Sequence, residues 1–313
     1  MNHRSPNAAR GSFTLVLAAA CGLLLTTTAS AKLNIVVTTP DLAAIAKEVG
    51  GDKIEITTLA RPTEDPHFVD AKPSFIVKLN RADALIEGGA ELEVGWLPPL
   101  LAGARNAKLA SGQPGRILCN EGIAMLEVPS QLTRAEGDIH PQGNPHFVVD
   151  PANARIIAAH LADAFGKLDA SSAETFRANG KKFTETLDAK LAEWTAKLAP
   201  FKGAKVVSYH KSWPYFAVRF GLEMEIYLEP KPGIPPSPAH LAEVITKMKA
   251  QHTRVIIVDP YLNRRTAETV ARSTDATVVD VAQFPGAIKG TDSYLALMDY
   301  LVNSLVKALA ETN

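Results

Sequence analysis

The chain has 313 residues, with 33 Lys and Arg balanced by 33 Asp and Glu. That balance excludes the basic face of a nucleic-acid binder and the polybasic patch of a membrane-surface protein. Hydrophobic residues make up 46 % and charged residues 21 %, which excludes a disordered chain, and two cysteines exclude a disulfide framework.

The first element in chain order is a leader. Arg4 and Arg10 precede an apolar stretch over residues 13–25, and Ala29-Ser30-Ala31 follows. A basic start, a short apolar core and an A-x-A site predict an exported chain cleaved after Ala31. The core is too short for a span of about 20 residues. A lipoprotein alternative would use Cys21, but the run Gly22-Leu23-Leu24-Leu25 stays apolar where a lipoprotein turns polar. Residues 1–31 carry two basic groups and no acid, so the expected mature chain has 282 residues, a net charge of −2 and Cys119 alone.

β-Branched runs and helical patterns then alternate. Strands are predicted over 33–38, 54–59, 84–86 and 116–119, with helices opening at Pro40-Asp41 and Pro73-Ser74. Asp150-Pro151 reads as cap and first turn of a helix to about Lys167. Ser171 to Glu174 has the form of a capping box. Phe176, Phe183, Leu187, Leu191, Trp194 and Leu198 follow at helical spacing until Pro200 and Gly203. A helix of about 28 residues would reach ~40 Å, a spine between two lobes, interrupted only by Gly180. Beyond it, strands are predicted over 205–209, 224–228, 255–258 and 277–281. Helices are predicted over 213–220, 237–251, 264–273 and 292–310. The fold class expected is α/β: two βα lobes with mainly parallel sheets, joined by one long helix. The expected division is leader 1–31, first lobe 32–168, linking helix 169–201 and second lobe 202–313.

Chemistry concentrates in histidines. Pro-His-Phe occurs twice, at Pro66-His67-Phe68 and Pro145-His146-Phe147, each followed by an aspartate, Asp70 and Asp150. His210 ends the strand 205–209. Ligands gather at the carboxyl ends of parallel strands, which makes these three histidines candidates for a metal site in the cleft. Three imidazoles with a carboxylate or water would suit zinc. The alternative for each is a loop histidine bonded to backbone. His160, His240 and His252 fit packing or helix-terminal roles, and His140 lies six residues before His146 on a loop. Serine-hydrolase elbows, His-Glu-x-x-His and phosphate-cradling loops are absent from the sequence.

Several segments, in order, carry a resemblance. They are Glu64-Asp65-Pro66-His67 with Lys72-Pro73-Ser74, Gly143-Asn144-Pro145-His146 with Asp150-Pro151, and Tyr209-His210-Lys211-Ser212-Trp213. Glu229-Pro230 with Ser237-Pro238 and Gly290-Thr291-Asp292-Ser293-Tyr294 complete the set. The chain resembles the zinc and manganese solute-binding proteins of bacterial ABC transporters. The resemblance implies a periplasmic, non-catalytic protein that binds Zn2+, with Mn2+ second, and delivers it to a membrane permease; the chain is read as a monomer. It also implies His67, His146 and His210 as ligands, with a carboxylate in a late loop of the second lobe as the fourth. Asp280 is taken for that position; Gln283, three residues before Gly286, or a water are the alternatives. The short segment 136–143 departs from the long His- and Asp-rich loop of zinc-specific members. Of a different class, a secreted three-histidine zinc hydrolase or lyase would need an open coordination position and a placed acid or base, for which Glu64 is the nearest residue.

Overall fold

The structure is a computed structural model, which describes residues 1–3, 31–131, 137 and 140–312. The leader expected over 1–31 therefore lies almost wholly outside the described residues. The chain from Ala31 onward forms one compact unit.

Its first lobe runs β1 (Leu33–Val37), α1 (Pro40–Gly50), β2 (Ile54–Thr58), α2 (Pro73–Arg81), β3 (Ala84–Glu87), α3 (Leu97–Ala104) and β4 (Arg116–Leu118). These strands form a parallel sheet in the order β2-β1-β3-β4. Then come α4 (Pro151–Leu168) and the long α5 (Ala173–Leu198). The second lobe holds β5 (Lys205–Ser208), α6 (Pro214–Phe220), β6 (Glu223–Tyr227), α7 (Pro238–Ala250), β7 (Val255–Val258), α8 (Arg264–Thr274) and β8 (Thr277–Asp280). Its sheet is also parallel, in the order β6-β5-β7-β8, and α9 (Tyr294–Thr312) closes the chain.

The central strands read as continuous apolar runs because both of their faces are covered. Ile35 and Val37 face a core that also contains Phe176, Trp194, Val206, Ile257 and Leu301. Val36 faces the opposite way, into a smaller cluster with Phe75, Leu79 and Trp96. In the second lobe Val207 and Ile256 turn from the shared core towards Val244, Met248 and Val270. One core thus runs through both lobes along α5, and each lobe adds a private core on its outer face.

The 26 residues of α5 span about 39 Å at 1.5 Å per residue. α5 packs on α1 and α4 and also on α9. Trp194 Nε1 donates to Asp299 Oδ1 at 2.8 Å, and Lys190 Nζ reaches the same oxygen at 2.9 Å. Gly180 lies against α4, where a Cβ would stand in ordinary contact, 3.4 Å from Ala162 Cβ and 3.5 Å from Ala158 O.

Two local readings change. The capping box at Ser171 is not formed; Asp169 instead accepts from Ser171 N and caps a 3₁₀ turn, Ala170–Ser172, which leads into α5. Its carboxylate reaches the turn's free N–H groups first. The helix α3 has no counterpart in the sequence reading. Pro98 and Pro99 obscure its pattern, yet both fall in its first turn, where a missing N–H is harmless.

Candidate metal site

The loops after the strand ends converge. His67 follows β2, His210 follows β5 and His146 immediately precedes the 3₁₀ turn Phe147–Val149 ahead of α4. One ligand atom from each of His67, His146 and His210 lies within 4.8 Å of the others. Ring centroids are 5.1 Å apart for His67 and His146, 5.5 Å for His67 and His210, and 5.4 Å for His146 and His210. Tetrahedral zinc with bonds of about 2.0 Å sets nitrogens ~3.3 Å apart, so small ring rotations would close the set. Asp280 stands outside this group. It ends β8 with its side chain 58 % exposed, and its carboxylate accepts from Arg264 at 2.8 Å. Gln283 is buried in that loop, 6 % exposed; it lines a small pocket together with His146, and its Nε2 donates to Tyr261 OH.

Each histidine is held by its own loop. His67 N and Nδ1 both meet Asp65 Oδ1, at 2.9 and 2.8 Å. Trp96 Nε1 donates to Pro66 O at 2.9 Å, and Glu64 accepts from Arg61 N and Asp70 N across the turn. Glu64 therefore shapes the loop. His67 Nε2 is left buried without a partner, a condition that native proteins keep for a reason. His210 Nδ1 meets Glu229 Oε2 at 2.7 Å, with both side chains about one-tenth exposed. A carboxylate on Nδ1 fixes the ring so that Nε2 is free for an ion and raises its basicity as a ligand. Burial works against the charge of Asp65, but the hydrogen bond and charge of His67 prevail and hold its carboxyl below the ordinary range.

His146 differs. Its N–H donates to Asn144 Oδ1 at 3.0 Å. Asn144 Nδ2 reaches Lys211 O at 2.9 Å and Glu127 Oε2 at 3.0 Å, and Tyr215 OH donates to Asn144 O at 2.7 Å. The loop carrying the second histidine is thus clamped to the lobe carrying the third. Arg219 of α6 adds a bidentate contact to Asp150, the cap of α4, at 2.7 and 2.9 Å. Burial, and then the neighbouring His67, His210 and His140, push the His146 imidazole well below its ordinary value, so it stays neutral. A neutral imidazole is the form that binds metal.

His140 comes within 5.3 Å of His67, centroid to centroid, and its ring stays outside the three-histidine group. It lines the mouth of the site with Glu127, Asn144 and Lys211, where a cavity of about 250 Å3 opens over His146 and His210. Its neighbours 132–136, 138 and 139 lie outside the described residues. His160 meets Glu121 at 3.9 Å and His240 meets Tyr227 O at 3.2 Å, both away from the group.

Sequence reasoning passed over Asp259. It follows β7 directly, is 2 % exposed, and accepts from Trp213 Nε1 at 3.2 Å. Burial pushes its carboxyl up to about 7 despite the hydrogen bond from Trp213 and the charge of His210. Its place at a strand's carboxyl end was the available signal. Among the described residues no helix is long and apolar enough to cross a membrane.

Comparison with known proteins fits this geometry. The family described as "Zinc-uptake complex component A periplasmic" matches residues 35–308. The metal ABC transporter substrate-binding lipoprotein ScbA of Streptococcus cristatus is 24 % identical, covering 91 % of this chain and 92 % of its own. The manganese ABC transporter substrate-binding lipoprotein PsaA of Streptococcus pneumoniae is also 24 % identical, with the same coverage. A crystal structure of ZnuA superposes with a TM-score of 0.75 at 22 % identity, covering 89 % of this chain and 99 % of that one.

Proposed function

The chain belongs to the zinc-uptake complex component A periplasmic family, and from that premise we propose that its cargo is Zn2+, held by His67, His146 and His210. Members of this family are the metal-binding, extracytoplasmic components of ABC importers and are not enzymes, which removes the hydrolase alternative. The membrane permease of such an importer is the partner that receives the ion. Under this proposal the protein acts as a monomer, exported by the cleavable leader 1–31. The lobes 32–168 and 202–313 supply the ligands, and segment 169–201 keeps them in register.

The observation that carries the zinc reading is the distribution of charge. Three imidazole nitrogens, one from each histidine, lie within reach of one ion, while Asp65 and Glu229 sit behind two of the rings on Nδ1. Zinc suits such a set, whereas manganese goes with carboxylate oxygens as direct ligands. The buried Gln283, beside His146, is the fourth group in this reading in place of the exposed Asp280. Manganese is the second reading, favoured by the name of the pneumococcal relative.

Calorimetric titration of the metal-free protein with zinc and manganese in competition tests the proposal. Zinc preference is expected, and His210→Ala should weaken zinc binding by orders of magnitude. Unchanged zinc affinity in that variant would sink the three-histidine assignment, and manganese preference in the wild type would select the second reading.

A further inference from the structure

His146 and His210 are far apart in sequence, yet one side chain ties their backbones together. Asn144 stands two residues before His146, and its Nδ2 donates at 2.9 Å to the main-chain oxygen of Lys211, the residue after His210. Oδ1 of the same amide accepts from His146 N–H at 3.0 Å. Its partners fix which end of the amide points where. The His146 N–H can only donate, whereas Lys211 O and the Glu127 carboxylate, 3.0 Å from Nδ2, accept. The main chain of Asn144 is held as well. Its N–H donates to Leu126 O at 2.8 Å, and its carbonyl accepts from Tyr215 OH at 2.7 Å. The same hydroxyl accepts from Leu126 N at 2.9 Å. Gly143 packs so closely that a Cβ there would stand 2.7 Å from Leu126 O. Asn144 and Tyr215 are both buried, which shields these bonds from water.

His67 is tied differently. Its loop is held by Asp65, Glu64 and Trp96 of its own lobe. Among the described residues no hydrogen bond joins residues 59–72 to the loops of His146 or His210. We propose that Asn144 is a positioning residue that presets His146 and His210 as a half-site before the ion arrives, with His67 as the ligand that completes it. This rests on the three-histidine reading above and does not depend on which divalent ion is the cargo. A pair held at fixed spacing loses little freedom on binding, so it carries more of the affinity than two unrestrained imidazoles would.

Double-mutant cycles on the full mature chain test this. Zinc affinity is read by competition against chelators of graded strength, with thermal melting of the metal-free protein alongside. Asn144→Asp keeps the acceptor for His146 N–H and loses both donors; Tyr215→Phe loses only the hydroxyl bridge. Each should lower zinc affinity by about tenfold, the lower end for an outer partner of a ligand. That factor should persist in a His67→Ala background, where the pair survives. It should shrink to about twofold or less in a His210→Ala background, where there is no pair left to set. His67→Ala should itself bind zinc about tenfold or more tighter than His210→Ala, because it keeps the preset pair. A structural role alone would lower the metal-free melting temperature and weaken zinc binding by the same factor in every background. A factor as large in His210→Ala as in His67→Ala would overturn the proposal. So would unchanged affinity in both single variants, or binding no tighter in His67→Ala than in His210→Ala. Should Asn144→Asp fail to fold, the Tyr215→Phe cycle decides alone. A wild type that takes up no zinc would overturn the parent reading instead.

Discussion

Replacing Glu229 by Gln isolates the contribution of a charge that does not touch the ion. Its Oε2 meets His210 Nδ1 at 2.7 Å. The imidazole then spans about 2 Å to Nε2, and a zinc bond adds about 2 Å more, so charge and ion would lie ~7 Å apart. At that separation a single negative charge and a dication attract by about 5 kcal/mol at an effective dielectric of 20, and by about 1 kcal/mol in bulk water. Both side chains are only about one-tenth exposed, but the cavity at the mouth admits solvent, so the true value falls between. Gln keeps an acceptor for Nδ1–H and removes only the charge. The expected loss of zinc affinity is therefore about 10- to 100-fold, or ~1.4–2.7 kcal/mol, in line with other outer partners of metal-bound histidines. Competition against a chromophoric chelator measures it. Glu127→Gln is the control, because Glu127 is one-third exposed and paired with Lys211 at the rim; it should change affinity by less than about threefold. A change below about threefold in Glu229→Gln as well would refute the outer-carboxylate reasoning.

Other expectations concern the frame around the site. Gly180→Ala places its methyl in ordinary contact with α4 and removes a helix-interior glycine, so it should stabilise the protein by up to about 1 kcal/mol in urea unfolding; Gly180→Leu should cost about 1–3 kcal/mol by overpacking. Arg219→Met leaves the buried Asp150 without its bidentate partner and should lower stability by about 1.5–3 kcal/mol in the same assay. Glu93 is fully enclosed, and burial, with the Glu87 charge behind it, pushes its carboxyl up to about 7. The unfolded chain releases that proton near pH 4.5 and the folded protein only near 7, so this group's contribution to stability falls as pH rises through that window. Glu93→Gln should flatten the decline in melting temperature between pH 5 and 8; an unchanged slope would show that Glu93 does not bear it.

Part of this protein follows from local sequence alone. Buried β-branched runs such as Val255–Val258 are strands wherever they are placed, because both faces of a parallel sheet are covered. Asp150 and Pro151 start a helix by satisfying and omitting the same free N–H groups. The three histidines were legible because strand ends and Pro-His turns are local features. Tertiary structure decided the rest. Asp280 and Gln283 are three residues apart, and nothing between them tells which is turned inward. Packing of β8 leaves Asp280 on the surface with Arg264 and buries Gln283 against His146. Tyr261 acquires meaning only when β7 and β8 lie side by side and bring it against Gln283, 22 positions further on, and Asp259 only when the fold sets it against Trp213. Strand identity depends on neighbours along the chain. The direction in which a loop side chain points depends on neighbours across it, and those exist only once both lobes have closed around a shared core.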